Sequence, residues 1–81
     1  MEDTYKTKDI AEASTLVVKG IKYLKIETEE KVCFFIFQNS AERESFSRDY
    51  YFNQVLVNAR TFYETFVRLK HQIFNEIPRR Y

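Results

Sequence analysis

The sequence of 81 residues is poor in the features that usually identify an enzyme or a secreted protein. It contains a single cysteine, so no internal disulfide can form and a reducing compartment is expected. It has no glycine-rich phosphate loop and no Cys-x-x-Cys or His-Glu-x-x-His pair. We therefore expect a non-enzymatic protein with no catalytic residues, no metal site, no cofactor and no small-molecule substrate.

Glycine, proline and net charge are scarce as well. One glycine and one proline argue against disorder, and a formal net charge of +1 gives no simple reason to expect nucleic acid or an acidic membrane surface as a partner. No apolar run approaches the roughly 18–20 residues that span a bilayer. The first residues lack the basic and apolar segments of a signal peptide. The sequence thus predicts a cytoplasmic protein that does not cross a membrane.

Aromatic side chains, in contrast, are abundant, with eight Phe and six Tyr. A chain of this length buries only roughly 60–65% of its unfolded surface. Aromatic side chains bury about 150–250 Å² each, so a few of them can hold a small core together. We expect one domain over residues 1–81, with an ordered core at about 4–77 and a frayed tail at 78–81.

The apolar pattern predicts three strands and three helices. Residues 32–37 form an unbroken apolar run, which is typical of a strand covered on both faces and predicts the central strand. Gly20 stands where a helix C-cap needs a left-handed residue, and Pro78 ends the last helix. The predicted elements are a strand at 4–6, a helix at 8–19 with Thr7 as its N-cap, strands at 21–28 and 32–38, a helix at 41–52 capped by Asn39 or Ser40, and a helix that begins after Asn58.

These elements follow the order β-α-β-β-α-α. We predict an α+β fold in which a three-stranded antiparallel sheet has the order 2-3-1 and the helices pack mainly on one face. Residues 28–31 lack the signal of a two-residue turn, so we expect a longer type I connection. The corresponding register pairs Leu24 with Phe35 and Ile26 with Cys33. A slip by one residue would exchange the two faces of the central strand.

In this register, one face of the sheet carries aromatic and basic side chains together. Such a face binds single-stranded nucleic acid by base stacking, with lysines at the phosphates. It could equally be buried in a partner subunit, or be closed by the second helix as part of the core. All three alternatives remain open. The candidate nucleic-acid face consists of Tyr23, Lys25, Phe34, Lys22 and Lys6.

The last helix carries two adjacent apolar stripes. The first runs through Phe62, Ile73 and Ile77 and is expected to place Phe66 and Leu69 against the sheet. The second covers more of the helix than the core of a small monomer needs. We expect it to pack against a second copy, because two-fold dimers are the commonest oligomers. The candidate interface consists of Tyr63, Val67 and Phe74.

Two further groups of residues have simple structural interpretations. Cys33 and His71 could form a nucleophile–base pair, but a cysteine in an apolar strand usually behaves as a small hydrophobic residue, and His71 lies between Lys70 and Gln72 on a face expected to be solvated. The carboxylates at positions 27, 29 and 30 could hold a cation weakly, but a solvated turn accounts for them better.

Several local signatures together resemble a known family. They are Thr7-Lys8-Asp9-Ile10 with Ala13, Leu16 and Gly20, a Phe-Ile-Phe strand, an acidic helix that ends in Asp49-Tyr50-Tyr51, and Val57-Asn58 before an aromatic helix that carries Leu69-Lys70. Over residues 4–75 the chain is similar to a family of small bacterial and phage domains of unknown function. Many members have Asp-Pro where this chain has Asn58-Ala59, which keeps a capping residue and loses the N1 proline. The resemblance implies this fold and a bacterial or phage origin, and it implies no activity.

The sequence as a whole predicts a non-enzymatic interaction or accessory module of a bacterial or phage system. We expect it to form a homodimer or to bind another protein. The alternative is a small nucleic-acid-binding protein that uses the aromatic and basic face of the sheet.

Overall fold

The computed structural model describes residues 3–76. The central strand pairs antiparallel with both neighbours, and the sheet order is β1-β3-β2. The predicted fold class, element order and strand order are therefore confirmed. The predicted roles of Ile77, Pro78 and the tail lie outside the described residues. The elements are β1 (Thr4–Thr7), α1 (Ile10–Val18), β2 (Tyr23–Glu29), β3 (Val32–Gln38), α2 (Ala41–Tyr51) and α3 (Ala59–Glu76).

Asp9 caps the N-terminus of α1. The prediction that Thr7 is the N-cap was therefore wrong. The Asp9 carboxylate accepts hydrogen bonds from the backbone N–H groups of Ala11 at 2.9 Å and Glu12 at 3.1 Å. Thr7 instead ends β1, and its hydroxyl oxygen accepts a hydrogen bond from the Asp9 backbone N–H at 3.1 Å. An Asp carboxylate satisfies the free N–H groups of a first turn and also suits the helix dipole.

The C-terminus of α1 follows the prediction at Gly20, which has φ +90°. The N–H of Gly20 donates to the carbonyl of Val17 at 3.0 Å, and the N–H of Ile21 donates to the carbonyl of Leu16 at 3.0 Å. These two bonds are the Schellman arrangement, which is usually accompanied by an apolar contact. Here Leu16 and Ile21 are both buried in the core cluster.

The turn between β2 and β3 is tighter than predicted. It consists of Glu30 and Lys31, with φ values of +49° and +71°. Two left-handed residues give the twist of a type I′ turn, which matches the twist of the flanking strands. A longer type I connection was predicted because a type I′ turn usually contains Asn or Gly, and this sequence has neither at these positions. The two positive φ values show that this prediction was wrong.

The tight turn changes the register of the hairpin. Ile26 pairs with Phe35, and Thr28 pairs with Cys33. The predicted pairing of Leu24 with Phe35 is therefore wrong by two residues. A shift of two keeps the side chains of a strand on their original faces, because strand side chains alternate with a period of two.

A β-bulge between Tyr23 and Lys25 breaks that alternation. Tyr23 pairs with Phe37, whereas Lys25 pairs with Ile36. Neighbouring residues of β3 point to opposite faces of the sheet, so Tyr23 and Lys25 also lie on opposite faces. In a regular strand, two residues separated by one position would share a face.

The inner face of the sheet forms the core together with α1 and α3. Phe35 and Phe37 of β3 are fully buried and cluster with Leu16 of α1 and Leu69 of α3. Fully burying one side chain of this kind stabilises the fold by roughly 1.5–3 kcal/mol. These residues are therefore the main apolar source of stability.

The orientation of α3 differs from the prediction by a small rotation. Thr65 and Leu69 face the interior, with exposed fractions of 4% and 1%, and Ile73 packs partly against the core. Phe66 is only half-buried and lies outside the core cluster, so the expectation that it faces the sheet was wrong, while that for Leu69 is confirmed. The Phe66 ring lies beside Phe62, with ring centroids 6.1 Å apart.

Candidate functional site

The outward face of α3 carries the stripe that the sequence predicted as an interface. Tyr63 is 66% exposed and Phe74 is 50% exposed, whereas Leu69, on the opposite side of the helix, is 1% exposed. Val67 is partly exposed, and Lys70 is exposed between Val67 and Phe74. Spacings of three and four residues keep side chains on one face of a helix. We call Tyr63, Val67, Lys70 and Phe74 the outer stripe.

Charged and polar side chains flank the outer stripe. Arg60 donates a hydrogen bond from Nε to Oε2 of Glu64 at 3.2 Å, and the two side chains are 88% and 60% exposed. An exposed pair at this helical spacing contributes only about 0.3–0.5 kcal/mol. His71 is exposed on the same flank, seven residues or about two helical turns after Glu64. The stripe is thus an apolar surface with a polar rim.

The outer face of the sheet holds only part of the predicted nucleic-acid face. Lys6 of β1 donates to Oε2 of Glu29 at 3.0 Å, and its Nζ lies 4.8 Å from the centroid of the Phe34 ring. Lys25 is 3.0 Å from Oε2 of Glu27. Each lysine on this face therefore has a carboxylate partner, and the local charges balance. Leu24 and Val32, which are 42% and 39% exposed, show that the hairpin remains accessible to solvent.

Tyr23 lies on the inner face, so the prediction that it shares a face of the sheet with Lys25 and Phe34 was wrong. Its ring centroid is 5.3 Å from that of Phe37 and 6.3 Å from that of Phe35, and its hydroxyl donates to Oε1 of Gln72 at 2.6 Å. Burial raises the pKa of Tyr23 above its ordinary value. The bulge of β2 is the reason why the Tyr23 side chain lies on the inner face. Lys6, Lys25 and Phe34 do share the outer face, while Lys22 is exposed in the loop before β2.

A buried carboxylate, which the sequence analysis missed, lies between β1, α1 and α2. Glu12 has no exposed surface, and its carboxylate accepts hydrogen bonds from four hydroxyls. A carboxylate has about four acceptor sites, so these donors saturate it. We call the five residues the Glu12 cluster. Tyr5 and Ser47 donate to Oε2 at 2.7 and 2.6 Å, and Thr7 and Tyr51 donate to Oε1 at 2.7 and 3.0 Å.

A buried arginine extends this cluster. Arg43 is 7% exposed, and its Nη1 donates to the hydroxyl oxygen of Ser47 at 3.0 Å. Its Nε donates to Oδ1 of Asn39 at 3.0 Å, and its guanidinium carbon lies 3.7 Å from the centroid of the Tyr5 ring. The Ser47 hydroxyl therefore links the positively charged Arg43 side chain to the Glu12 carboxylate. A buried charge is tolerated when its polar atoms have partners of this kind.

The tyrosines at the end of α2 remain protonated hydrogen-bond donors at neutral pH. Tyr50 donates to both carboxylate oxygens of Asp9, at 3.2 and 3.0 Å, and burial together with this bond raises the pKa of Tyr50 to about 12. Burial together with the bond to Glu12 raises the pKa of Tyr5 to about 12 and also raises the pKa of Tyr51. Desolvation and bonds from the neutral phenol both disfavour the charged form.

The Glu12 cluster is suited to fastening α2 and not to catalysis, because every acceptor site of its carboxylate is occupied by a protein donor. The only buried residues of α2 are Arg43 and Ser47, both polar, and Phe46 packs against the core from the side. Among residues 3–76, every buried side-chain nitrogen and oxygen has a hydrogen-bond partner. Hydrogen bonds thus supply much of the attachment of α2 to the rest of the domain.

One sequence signal could have revealed this cluster. Glu12 is the single charged residue among the nine residues of α1, Ile10–Val18. A helix with so few charges is buried on most sides, and residues 12–16 are indeed buried. A carboxylate in such a helix needs interior donors, and the hydroxyl-rich ends of β1 and α2 could have been considered as their source.

The other candidate chemistry is distributed over separate environments. Cys33 is buried in β3, with its Sγ 3.8 Å from Oγ1 of Thr28, whereas His71 is exposed on α3. Over residues 3–76, no group of three or more His, Cys, Asp or Glu side chains is arranged to hold a metal ion. None of the helices in this range combines the length and the hydropathy that a bilayer crossing requires.

Comparison with known proteins places the chain in a family but assigns it no activity. No curated protein and no solved structure matches it. A family model described as a domain of unknown function, DUF5659, matches residues 2–75 and so includes every element from β1 to the last turn of α3. This match confirms the resemblance that the sequence predicted, while the bacterial or phage origin remains a prediction. The chain therefore belongs to the DUF5659 family of domains of unknown function.

Proposed function

We propose that the chain is a non-enzymatic interaction module of a bacterial or phage system and that it works in the cytoplasm. Its contact surface is the outer stripe of α3, through which it associates with a second copy of itself. The observation that carries the proposal is the 66% exposure of Tyr63 on a helix whose opposite side is packed into the core at Leu69. Aromatic side chains gathered on an exposed surface are enriched at protein interfaces.

The size of the stripe sets the expected strength of association. Residues 63–74 cover about 16 Å of helix at roughly 1.5 Å per residue. With a helix diameter of roughly 10–12 Å, this length corresponds to a projected contact of about 200 Å² per copy. Stable complexes bury roughly 800 Å² per partner. We therefore expect a reversible, concentration-dependent dimer in the micromolar range.

Sedimentation velocity over a wide range of protein concentration tests this proposal. Tyr63→Ala should weaken association and leave the urea midpoint of the monomer nearly unchanged, because the side chain is largely exposed. Leu24→Ala is the matched control, since Leu24 is also an exposed apolar residue but lies on β2. A chain that stays monomeric at every concentration, or one whose association responds to Leu24→Ala and not to Tyr63→Ala, would overturn the proposal.

Binding of nucleic acid has weaker support from the geometry. Tyr23 is turned into the core, and Lys6 and Lys25 each have a carboxylate partner at 3.0 Å. The observation in its favour is Phe34, over which Lys6 lies on the outer face. Titration with single- and double-stranded oligonucleotides at low and high salt separates the two functions, because phosphate-driven binding weakens steeply with salt. Salt-sensitive binding that is lost in Lys6→Ala would support this alternative.

A further inference from the structure

We propose that the outer stripe binds the outer stripe of a second copy, with the two α3 helices antiparallel about a two-fold axis near residues 67–70. This inference rests on the proposed function and adds the partner, the orientation and the contacts. It follows from the spacing and the charges of the exposed residues of α3.

The spacing of the stripe is that of a helix-pairing seam. Tyr63, Val67, Lys70 and Phe74 are separated by four, three and four residues, which is the alternation of the a and d positions in a coiled coil. With Val67 and Phe74 at a, the residues Tyr63 and Lys70 are at d. The exposed residues Glu64 and His71 then occupy e, and the half-buried Phe66 and Ile73 occupy g, between the seam and the core.

Lys70 decides between the two possible orientations. A parallel pair places d against d, so the Lys70 ammonium groups of the two copies would meet in an apolar seam, where like charges are costly. An antiparallel pair places a against d. Lys70 then lies beside Val67 of the second copy and can extend its amine to the rim, while Tyr63 lies beside Phe74 of the second copy.

The flanking residues support the same choice. In an antiparallel pair, e positions face e positions, so the Glu64 carboxylate can accept a hydrogen bond from the His71 imidazole of the second copy. On the other flank, g positions face g positions, and Phe66 and Ile73 extend the apolar contact. A parallel pair would place His71 beside these apolar side chains and leave it without an acceptor. Only the antiparallel orientation therefore separates the two Lys70 ammonium groups and gives His71 a carboxylate acceptor on the second copy, beside the Arg60 that already donates to Glu64.

Cysteine cross-linking tests the orientation. In a Cys33→Ala background, we would prepare Tyr63→Cys and Phe74→Cys as separate chains, with Leu24→Cys as a control for random collision. Positions 63 and 74 are about 16 Å apart along one helix, whereas a disulfide needs Cα atoms within roughly 4.4–6.8 Å. We expect the mixture of Tyr63→Cys and Phe74→Cys chains to form the disulfide-linked dimer, and each variant alone to form no more of it than the Leu24→Cys control.

The outcomes separate the inference from the proposed function. Cross-linking of Tyr63→Cys with itself would overturn the antiparallel orientation and leave self-association standing. Dimers in sedimentation without cross-linking of the mixture would place the contact on another surface, which overturns the inference. A monomer at all concentrations would remove both, and an acidic amphipathic helix of another protein would become the better occupant of the lysine-containing stripe.

A charge exchange gives a second readout. Glu64→Lys should raise the dimer dissociation constant by roughly 2- to 25-fold, because the two-fold axis makes this contact twice and one exposed polar pair is worth a factor of about 1.5–5. Adding His71→Glu to the same chain should restore the original value, because the two residues face each other across the two-fold axis. If the double variant binds as weakly as Glu64→Lys, the proposed contact between positions 64 and 71 is wrong.

Discussion

Replacing Glu12 with alanine removes the acceptor of four hydroxyls at once. Thr7 and Ser47 are 7% and 5% exposed, so their hydroxyls would lose their partner inside the protein, whereas Tyr5 is half-buried and Tyr51 is exposed. Leaving a buried donor unsatisfied costs about 1–3 kcal/mol, so two such donors cost about 2–6 kcal/mol. Stabilities of single domains are about 5–15 kcal/mol, and we expect Glu12→Ala to remove a large part of this one.

Glu12→Gln separates the charge of the side chain from its shape. The amide keeps one acceptor oxygen but places an NH₂ group where two hydroxyls now donate. The hydroxyls must reorient to accept, and that of Ser47 already accepts a hydrogen bond from Arg43. We expect a loss of about 1–3 kcal/mol, which is intermediate between the natural residue and alanine.

Urea unfolding monitored by circular dichroism measures both losses, and native-state hydrogen exchange locates them. Because α2 buries only polar residues and is fastened by the Glu12 cluster, its amides should lose protection first, while those around Leu69 in α3 keep theirs. A loss below about 1 kcal/mol for Glu12→Ala, against the range expected for buried donors, would refute the role assigned to the cluster. Equal loss of protection in α2 and α3 would refute the local attachment.

Three further predictions concern the core, the turn and the tyrosines. Phe35→Ala should lower the free energy of unfolding by about 3–5 kcal/mol and Phe66→Ala by about 1–2 kcal/mol, since only Phe35 is fully buried. Equal losses in urea titrations, at a concentration where both variants are monomeric, would contradict the observed rotation of α3. Replacing Glu30-Lys31 with Asn-Gly should raise the free energy of unfolding by about 1 kcal/mol, because both φ values are positive; an unchanged urea midpoint would argue against this turn. The pKa of Tyr5 in the folded state is about 12, against an ordinary 10.0, so its contribution to stability is fully present below pH 10 and is lost as the pH rises through 12. In urea titrations at alkaline pH, Tyr5→Phe should reduce the loss of stability between these two pH values. A loss as large as in the natural chain would contradict the assignment.

The parts of the fold that local signals determine were predictable. Gly20 predicted the end of α1 because only glycine adopts its left-handed conformation without strain. The apolar run 32–37 predicted the central strand, and the helical periodicity predicted α3 within residues 59–76. These features depend on neighbouring residues in the chain, which the sequence displays directly.

The parts that depend on tertiary contacts were not predictable. The predicted hairpin register was wrong because Glu30 and Lys31 adopt left-handed conformations that are rare for their residue types. The bulge in β2 was also not predictable, because the apolar pattern of the strand does not show it. Phe66 was placed in the core because it is apolar, but Thr65 occupies the inner position, where the contact with α1 decides the orientation of the helix. The Glu12 cluster is assembled from three elements, and a pattern of apolar and polar residues cannot represent it.

The central position of β3 has a consequence for the solubility of the domain. A six-residue apolar run without glycine or proline has the composition of segments that stack into cross-β fibrils. Here the bulged, ion-paired β2 pairs along this run on one side, and the four-residue β1 pairs with its second half, residues 35–37, on the other. Short, charged and bulged edge strands resist pairing with another chain. The strands that contribute least to the core therefore protect the protein from aggregation, and detachment of either one would expose the segment of this chain that is best able to start a fibril.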